Sequence, residues 1–360
     1  MKGFHIAIVG TTGLVEQEFI KVLEQRNFPV ASMQLFASKH SSSTKLFFNH
    51  QNIEVEEATP EIFRDVDIAL FSASADVSHH LSPLAVEAGA VVIDSSTASR
   101  MNPTIPLVVP EVNPEDIKWH KGIIANPNCS TIQSAVALYP LHKVNPIKRI
   151  IINTYQAVSD NGANALKELT SQTRQVLEGR RVCPHLYSHQ IAFNILPEVD
   201  VFLDNGYTKE EQEIAEEIRR ILRAKDMAIS ATCVRVPVYF GHSEAVNVEF
   251  DSPVTPEEAR EILVQAPGVR VLDDPSVSLY PLPWAASGSN HVFVGRIRRD
   301  ISHTNGLVMW IVADNLRKGA ALNAVQIAEE GIKMGCIAHK RVQKPSRRHP
   351  SFSKRAGGLK

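Results

Sequence analysis

The chain has 360 residues, of which 44% are hydrophobic and 21% charged, and its net charge is -1. This balance excludes a disordered chain and gives no overall reason to expect nucleic acid as a partner. The length is enough for two domains, because single hydrophobic cores stop growing near about 250 to 300 residues. The longest apolar runs are far too short to span a bilayer, so we expect no membrane segment.

The first 130 residues alternate short, strand-like apolar runs with helical patterns. Continuous Val and Ile strands separated by helices predict a parallel sheet covered on both faces. Right-handed crossovers make it a doubly wound, Rossmann-like α/β domain. We place the active cleft at the carboxyl ends of the strands, where four loops rich in small and polar residues follow. The predicted strands are 4–9, 67–71, 90–94 and 122–128, and the predicted helices are 15–23 and 80–88.

The segment GTTGLVEQEF begins at Gly10, directly after the first predicted strand. A tight glycine turn between a strand and a helix is typical of a loop that binds the pyrophosphate of a dinucleotide. Glu16 stands where a third small residue would bring the helix and the strand close together. Its carboxylate either weakens the binding of an anion or points outward on the first helical turn, where an acid suits the helix dipole.

The segment NPNCSTIQ places Cys129 after a strand and at the start of an apolar helical segment, 130–138. A helix N-terminus lowers the pKa of a thiol and offers N–H groups to an anion. A Cys129 thiolate could therefore attack a carbonyl, with its own N–H and the Asn128 amide holding the oxyanion. The alternative is a small buried cysteine, but the flanking Asn and Ser and the position at the cleft edge favour a nucleophile.

From about residue 148 the pattern changes to β-branched, partly alternating runs with helical stretches between them. This predicts an α+β domain with a large, mostly antiparallel sheet. We assign a dinucleotide-binding domain to 1–130, completed by a C-terminal helix at 316–333, and a second domain to 131–315. Its predicted strands are 149–158, 229–238, 244–250, 291–301 and 306–315, and its predicted helices are 163–177 and 209–223.

Four more side chains are candidates for the same chemistry. Arg235 lies in an otherwise apolar strand, where a bound carboxylate would be a good bidentate partner for its guanidinium. His242 follows Gly241 at a strand break and could act as acid and base near neutral pH, or be an ordinary loop histidine. Arg100 could clamp a phosphate or form a surface ion pair. Gln156 could orient a polar substrate or simply satisfy backbone groups.

The last segment, 337–360, carries eight Lys and Arg and no acid. We expect a disordered, solvated tail, with a nucleic-acid-binding arm as the alternative. The four cysteines are widely spaced, form no CxxC pair, and follow no signal peptide. We therefore expect reduced thiols in a cytoplasmic protein, and no metal site.

Seven segments together resemble aspartate-semialdehyde dehydrogenase. They occur in order over roughly residues 3–330 and are GTTGLV, LVVPEVNPE, GIIANPNCSTIQ, TYQAVS, HQIAFNILPEVD, RVPVYFGHSE and VADNLRKGAALNAVQIAE. The resemblance implies an enzyme that makes L-aspartate 4-semialdehyde from 4-aspartyl phosphate with NADPH, releasing phosphate, on the route to lysine, threonine and methionine. It also implies that the second domain is a catalytic and dimerisation domain, and that the protein is a homodimer or homotetramer.

The same resemblance assigns roles residue by residue. Cys129 would form a thioacyl intermediate, and His242 would be the acid and base. Arg235 would bind the carboxylate of the substrate, Arg100 its phosphate and Glu210 its ammonium group. The implied catalytic set is Cys129, His242, Gln156 and Asn128. The implied cofactor-binding set is Gly10, Thr12, Gly13, Leu14, Val15, His40, Ser41, Ser159, Asp160 and Asn315.

Departures from the family cluster at the cofactor and phosphate sites. The residues that replace family glycines are Glu16, Ser43, Ser74, Ala75 and Asp160. His40 replaces an arginine that meets the 2′-phosphate of NADP, so NAD is possible beside NADP. Glu213 replaces a lysine that helps to bind phosphate.

These departures leave two other hypotheses open. One is a catalytically weak paralogue that keeps the fold for binding or regulation, with impaired cofactor binding. The other is a reductase of a different acyl phosphate, such as N-acetylglutamyl phosphate. Glu210 argues against the second, because the resemblance to the aspartyl enzyme continues through the substrate domain.

Overall fold

Two sheets organise the chain. The computed structural model describes residues 3–10, 13–37, 45–49 and 51–340, and the statements below refer to these residues. The helices are α1 Leu14–Gln25, α2 Ala75–Glu87, α3 Cys129–Val144, α4 Ala163–Leu177, α5 Lys209–Ile221, α6 Pro256–Val264, α7 Pro283–Ala286 and α8 Leu322–Lys333.

The first sheet has seven strands in the order β3-β4-β2-β1-β5-β6-β7. The strands are β1 Phe4–Val9, β2 Val30–Ala37, β3 Lys45–Phe48, β4 Gln51–Glu57, β5 Ile68–Phe71, β6 Val91–Asp94 and β7 Ile123–Ala125. All neighbours are parallel except the β3–β4 pair. The predicted doubly wound parallel sheet is therefore confirmed.

Three strands of this sheet, β2, β3 and β4, have no counterpart in the sequence predictions. β3 and β4 lie at one edge of the sheet and leave most of their side chains exposed or half-buried. Exposed strands need no continuous run of apolar residues, so hydrophobic periodicity does not reveal them.

The second sheet has six strands in the order β11-β12-β13-β10-β8-β9. The strands are β8 Ile147–Gln156, β9 Ala228–Arg235, β10 His242–Phe250, β11 Val269–Val271, β12 Val292–Arg299 and β13 Gly306–Ala313. Its three antiparallel pairs are β8–β10, β10–β13 and β12–β13, whereas β8–β9 and β11–β12 are parallel. The sheet is thus mixed, with antiparallel pairs in the majority.

Helices α3 and α8 tie the two sheets together. Three residues separate α3 from β7 of the first sheet, yet the apolar side chains of α3, such as Ile132 and Leu138, pack into the core of the second sheet. α8 follows β13 of the second sheet, and Leu322 and Val325 pack into the core of the first sheet. Both crossings meet at the carboxyl ends of the first sheet's strands, and this edge is where the site lies.

The prediction of a disordered basic tail is wrong for its first four residues. Residues 337–340, which the sequence predicts to be disordered, pack against the first sheet. Ile337 is buried in its core, His339 stacks on Phe4 with ring centroids 4.1 Å apart, and the Lys340 N–H donates to Asp67. Residues 341–360 lie outside the described residues. No helix in the described ranges is long and apolar enough to cross a membrane.

Candidate active site

A cavity of about 230 Å³ lies between the first sheet and the start of α3. Several residues that the sequence predicts for the site share its lining, although they come from separate motifs. They are Val15, Arg100, Asn128, Cys129, Asp160, Glu210 and Asn315.

Cys129 is the first residue of α3, and Asn128 caps that helix. The Asn128 side-chain oxygen accepts hydrogen bonds from the N–H groups of Ser130 and Thr131, at 2.8 and 3.4 Å. The Cys129 N–H belongs to the first turn, where helical N–H groups have no partner within the helix. This capped start holds the thiol, which is 9% exposed, at the wall of the cavity.

The donors of Asn128 face acids rather than open space. Its backbone N–H donates to Glu217 at 2.9 Å, and its side-chain amide donates to Glu210 at 2.8 Å. The Gln156 amide also donates to Glu210, at 3.0 Å. Asn128 thus serves to cap α3 and position Glu210 in this structure, and its expected contact with an oxyanion stays a prediction.

The thiol of Cys129 is disfavoured as a thiolate in this state. Burial raises the pKa of Cys129 well above its usual value, and the nearby Asp160 and Glu210 carboxylates raise it further. The guanidinium groups of Arg100 and Arg235 act in the opposite direction without overcoming these effects. The helix N-terminus alone therefore does not activate the nucleophile.

Asp160 stands at the centre of the reactive groups. Its Oδ2 accepts a hydrogen bond from Arg235 Nη2 at 3.0 Å. Its Oδ1 lies 3.7 Å from Cys129 Sγ and 3.8 Å from His242 Nε2. Burial would raise the pKa of Asp160, but the charge of Arg235 and the contact with His242 outweigh it and lower the pKa below the usual range. The carboxylate is therefore charged at neutral pH.

His242 has a defined tautomer. Its Nδ1 accepts a hydrogen bond from the Ala157 N–H at 3.1 Å, so the hydrogen of the neutral ring sits on Nε2. Nε2 faces Cys129 and Asp160 and has no hydrogen-bond partner within the described ranges. In this tautomer the imidazole can donate at Nε2, whereas taking a proton there requires the loss of the Ala157 hydrogen bond.

Cys129, Asp160 and His242 form the one group among the described residues whose ligand atoms, all within 4.8 Å of one another, could hold a metal. A metal at Nε2 needs that nitrogen free of hydrogen. Because the Ala157 N–H imposes the opposite tautomer, this group does not fit a metal ion as it stands.

Arg100 faces acids where the resemblance implies a phosphate. Its Nη1 lies 4.0 Å from Glu213 and 3.8 Å from Glu217, and Arg100 is buried. Burial raises the pKa of Glu217 to about 7, although the Arg100 charge lowers it. Glu217 is a residue that the sequence reasoning missed. The spacing of Glu210, Glu213 and Glu217 puts all three on one face of α5, and this periodicity could have revealed it.

The nucleotide loop borders a second cavity of about 980 Å³, which reaches Asn161–Lys167 on the far side. Gly10 has a φ of 113°, and a Cβ there would lie 2.5 Å from the Ser72 carbonyl oxygen. Only glycine fits this turn. The cavity and the turn together fit a dinucleotide.

Glu16 does not point outward, so that expectation is wrong. It is 3% exposed, and its Oε2 would lie 2.2 Å from a Cβ on Gly13. The side chain folds back over the glycine turn because α1 begins at Leu14, so Glu16 sits in its first turn. Burial raises the pKa of Glu16 to about 7.

The other cofactor candidates, and the residues that replace family glycines, lie in separate places. Ser159 and Asn315 hydrogen-bond to each other, and Asn315 also accepts from the Gly241 N–H at 3.0 Å. Leu14 begins α1. Ser74 caps α2 through a hydrogen bond from Val77 at 3.4 Å, and Ala75 begins that helix. Thr12, His40, Ser41 and Ser43 lie outside the described residues.

Gly319 is a second residue that the sequence reasoning missed. It lies in a π-helical turn, Arg317–Ala321, that precedes α8. A Cβ on Gly319 would lie 2.8 Å from the Cys129 Cβ, so only glycine lets this turn pack against the nucleophile. Single π turns are frequent at functional sites, but no local sequence pattern marks them.

Known proteins match the chain over nearly its whole length. Two family models match, the NAD binding domain of semialdehyde dehydrogenase over residues 5–120 and its dimerisation domain over residues 138–318. An aspartate-semialdehyde dehydrogenase from Aquifex aeolicus is 52% identical over 339 residues, covering 93% of this chain and 100% of that protein.

Solved structures match as well. The crystal structure of aspartate semialdehyde dehydrogenase II from Vibrio cholerae complexed with ASA has a TM-score of 0.90 at 44% identity, covering 92% of this chain and 99% of that one. The enzyme from Candida albicans, solved with NADP, has a TM-score of 0.73 at 26% identity, covering 93% of this chain and 100% of that one.

Proposed function

The chain belongs to the aspartate-semialdehyde dehydrogenase family, and on that premise we propose that its cavity at Cys129 converts L-4-aspartyl phosphate into L-aspartate 4-semialdehyde. One observation carries the assignment. A single cavity is lined by the Cys129 thiol, at the capped start of α3, and by Arg100. Buried Arg235 is bound to Asp160, which lines the same cavity. The substrate has two anionic groups, a carboxylate and a phosphate, for these two guanidinium groups. The relatives support this enzyme rather than the catalytically weak paralogue.

The chemistry starts at the sulfur of Cys129. The sulfur attacks the acyl carbon, and the bond from that carbon to the phosphate oxygen breaks. The departing phosphate takes up the proton of the thiol and leaves as hydrogen phosphate, so that a thioester remains on the enzyme. The Cys129 N–H, in the open first turn of α3, donates to the oxygen that becomes negative. NADPH, when bound, supplies the hydride that reduces the thioester. His242 donates from Nε2 to the resulting oxyanion, whose collapse releases the aldehyde and the thiolate.

Phosphate binding by Arg100 requires that the acids beside it lose their negative charge. Glu213 and Glu217 oppose an incoming anion while they are charged. Burial raises the pKa of both groups, to about 7 for Glu217, so the neutral form of Glu217 is accessible near neutral pH. Glu210, held by Asn128 and Gln156, is the group that meets the ammonium of the substrate.

For the cofactor we propose NADP, with NAD also accepted. The described part of the large cavity is lined by the acids Glu16, Glu57 and Asp76, against the single cation Lys167. An acidic lining opposes the extra charge of a 2′-phosphate. A relative solved with NADP supports the phosphorylated cofactor, while the acidic lining supports a weak preference over NAD.

We further propose a cytoplasmic homodimer or homotetramer, with 131–315 as its catalytic and dimerisation domain. The match to a dimerisation domain over residues 138–318 supports the oligomer.

The decisive test measures the reduction of NADP and of NAD that depends on both semialdehyde and phosphate. We expect the parent chain to be active and Cys129→Ala to lose at least about a thousandfold in kcat, as when a nucleophile is removed. Cys183→Ala is the matched control, because that cysteine is exposed and lies outside the cavity. Activity that survives in Cys129→Ala contradicts the thioester route.

A further inference from the structure

Both terminal nitrogens of Arg235 already donate to an acceptor in this structure. Its Nη1 donates to the Ala157 carbonyl oxygen at 2.9 Å, and its Nη2 donates to Asp160 at 3.0 Å. The partner on Nη2 is itself a carboxylate, the same chemical group that the substrate would present. Asp160 therefore holds one of the two terminal nitrogens to which a substrate carboxylate would bind as a bidentate partner.

We propose that Asp160 competes with the substrate for Arg235. Asp160 binds Arg235 and keeps the Cys129 thiol protonated until the carboxylate of a substrate displaces Asp160. The proposal rests on the proposed function. One carboxylate contacts both groups, because Oδ2 lies on Arg235 and Oδ1 lies 3.7 Å from Cys129 Sγ. Displacement would free the arginine and remove a negative charge from beside the sulfur in one movement.

The surroundings of Asp160 allow this movement. Its side chain is 31% exposed, so one side of it faces open space. It lies in the short turn Val158–Asn161, which ends before Gly162. Gly162 has a φ of 80°, and no atom would lie within 4 Å of a Cβ there. Asp160 lines the smaller cavity, so its carboxylate has open space into which it can rotate away from Arg235.

The charged and titratable groups around Asp160 come from five elements or loops. They are Cys129 on α3, His242 on β10, Arg235 on β9, Glu210 on α5 and Tyr187 in the loop after α4. Among them Arg235 is the cation that Asp160 contacts directly. When Asp160 leaves Arg235, the guanidinium therefore needs another anion as its partner, and the substrate carboxylate is the anion that we propose.

The test compares Asp160→Asn, which keeps the size of the side chain, and Asp160→Gly with the parent chain. Labelling of Cys129 by iodoacetamide is followed across pH by peptide mass spectrometry. In both variants we expect the pH midpoint of labelling to fall by at least about one unit. We also expect KM for the semialdehyde to fall about tenfold without a loss in kcat, because a competing charge about 4 Å away is gone. Asp204→Asn, an exposed acid in a distant turn, is the control.

An unchanged midpoint and an unchanged KM in both variants would overturn the proposal. Labelling requires no turnover, so an unchanged midpoint counts against it even in a chain that proves inactive. A lowered midpoint in a chain that turns over no semialdehyde would instead overturn the proposed function, and the effect of Asp160 on the thiol would stand.

Discussion

Glu16 and Asp160 both place a carboxylate in a site for anions, yet their pKa values are shifted in opposite directions. The hydrogen bonds near Glu16 come from neutral groups, the Ser72 hydroxyl and the backbone at Gly13 and Glu16, and burial raises its pKa to about 7. Asp160 lies against the guanidinium of Arg235, and its pKa falls below the usual range. The nearest cation, rather than desolvation alone, therefore decides the charge of an acid in these sites.

We expect the largest effect from removing Arg235, the cation beside Asp160. Arg235→Met leaves Asp160 without its cationic partner and removes the only proposed contact for the substrate carboxylate. We therefore expect kcat/KM to fall at least about a thousandfold. Arg235→Lys keeps the charge but loses the planar fork, and we expect an intermediate loss. Kinetic assays measure both, with thermal unfolding to show that the variants fold. Equal activity of Arg235→Met and the parent would contradict the role of Arg235.

The complementary experiment removes the carboxylate of Glu16 from the nucleotide loop. We expect Glu16→Gln and Glu16→Gly to bind NAD about tenfold more tightly than the parent near pH 8, because a buried negative charge beside the pyrophosphate is lost. Calorimetric titration measures the affinity. Glu87→Gln, an exposed acid at the end of α2, is the control.

The same titration carries a pH dependence with a definite sign. Glu16 has a pKa of about 7, so it is neutral below and negative above that value. The parent should therefore bind NAD more tightly as the pH falls from about 8 to about 6, and Glu16→Gln should show a flatter profile. NAD is the right probe, because it lacks the 2′-phosphate, whose own pKa is near about 6. Parallel profiles in the two chains would show that Glu16 does not control the loop.

Glu244 is a third acid, to which no role in ligand binding is assigned. We expect the smallest effect from its substitution, on the free energy of unfolding. It is fully buried in β10, and burial raises its pKa to about 8, against 4.5 ordinarily. Its folded-state pKa is raised, so the stability it contributes is present below about pH 4.5 and is lost as the pH rises to about 8.

We therefore expect Glu244→Gln to increase the free energy of unfolding at about pH 8 by about 1–3 kcal/mol, with a smaller gain at about pH 5. Urea unfolding at the two pH values measures it, and Glu261→Gln at the surface is the control. A gain that does not depend on pH would mean that ionisation of Glu244 is not its cause.

Much of the fold and the reactive groups could be predicted from the sequence. The buried strands β1, β5 and β6 appear as continuous apolar runs, and the helix α4 was predicted at the bounds it has, Ala163–Leu177. Cys129 was predicted at the start of a helix, because a strand, a short polar turn and an apolar helical pattern follow one another locally. Such features depend on neighbours in the chain, and local patterns record them.

Contacts between distant segments were decided only by the tertiary structure. Nothing near Glu16 in the chain shows that its side chain is buried beside Ser72, on the loop after β5, instead of pointing outward. Likewise Asp160 meets Arg235 across 75 residues, and Gly319 meets Cys129 across a still longer separation. Residue type and local spacing determine which chemistry the chain can carry. Which charges face each other, and so which groups are ionised, depends on distances of a few ångströms that only the packing of the two sheets sets.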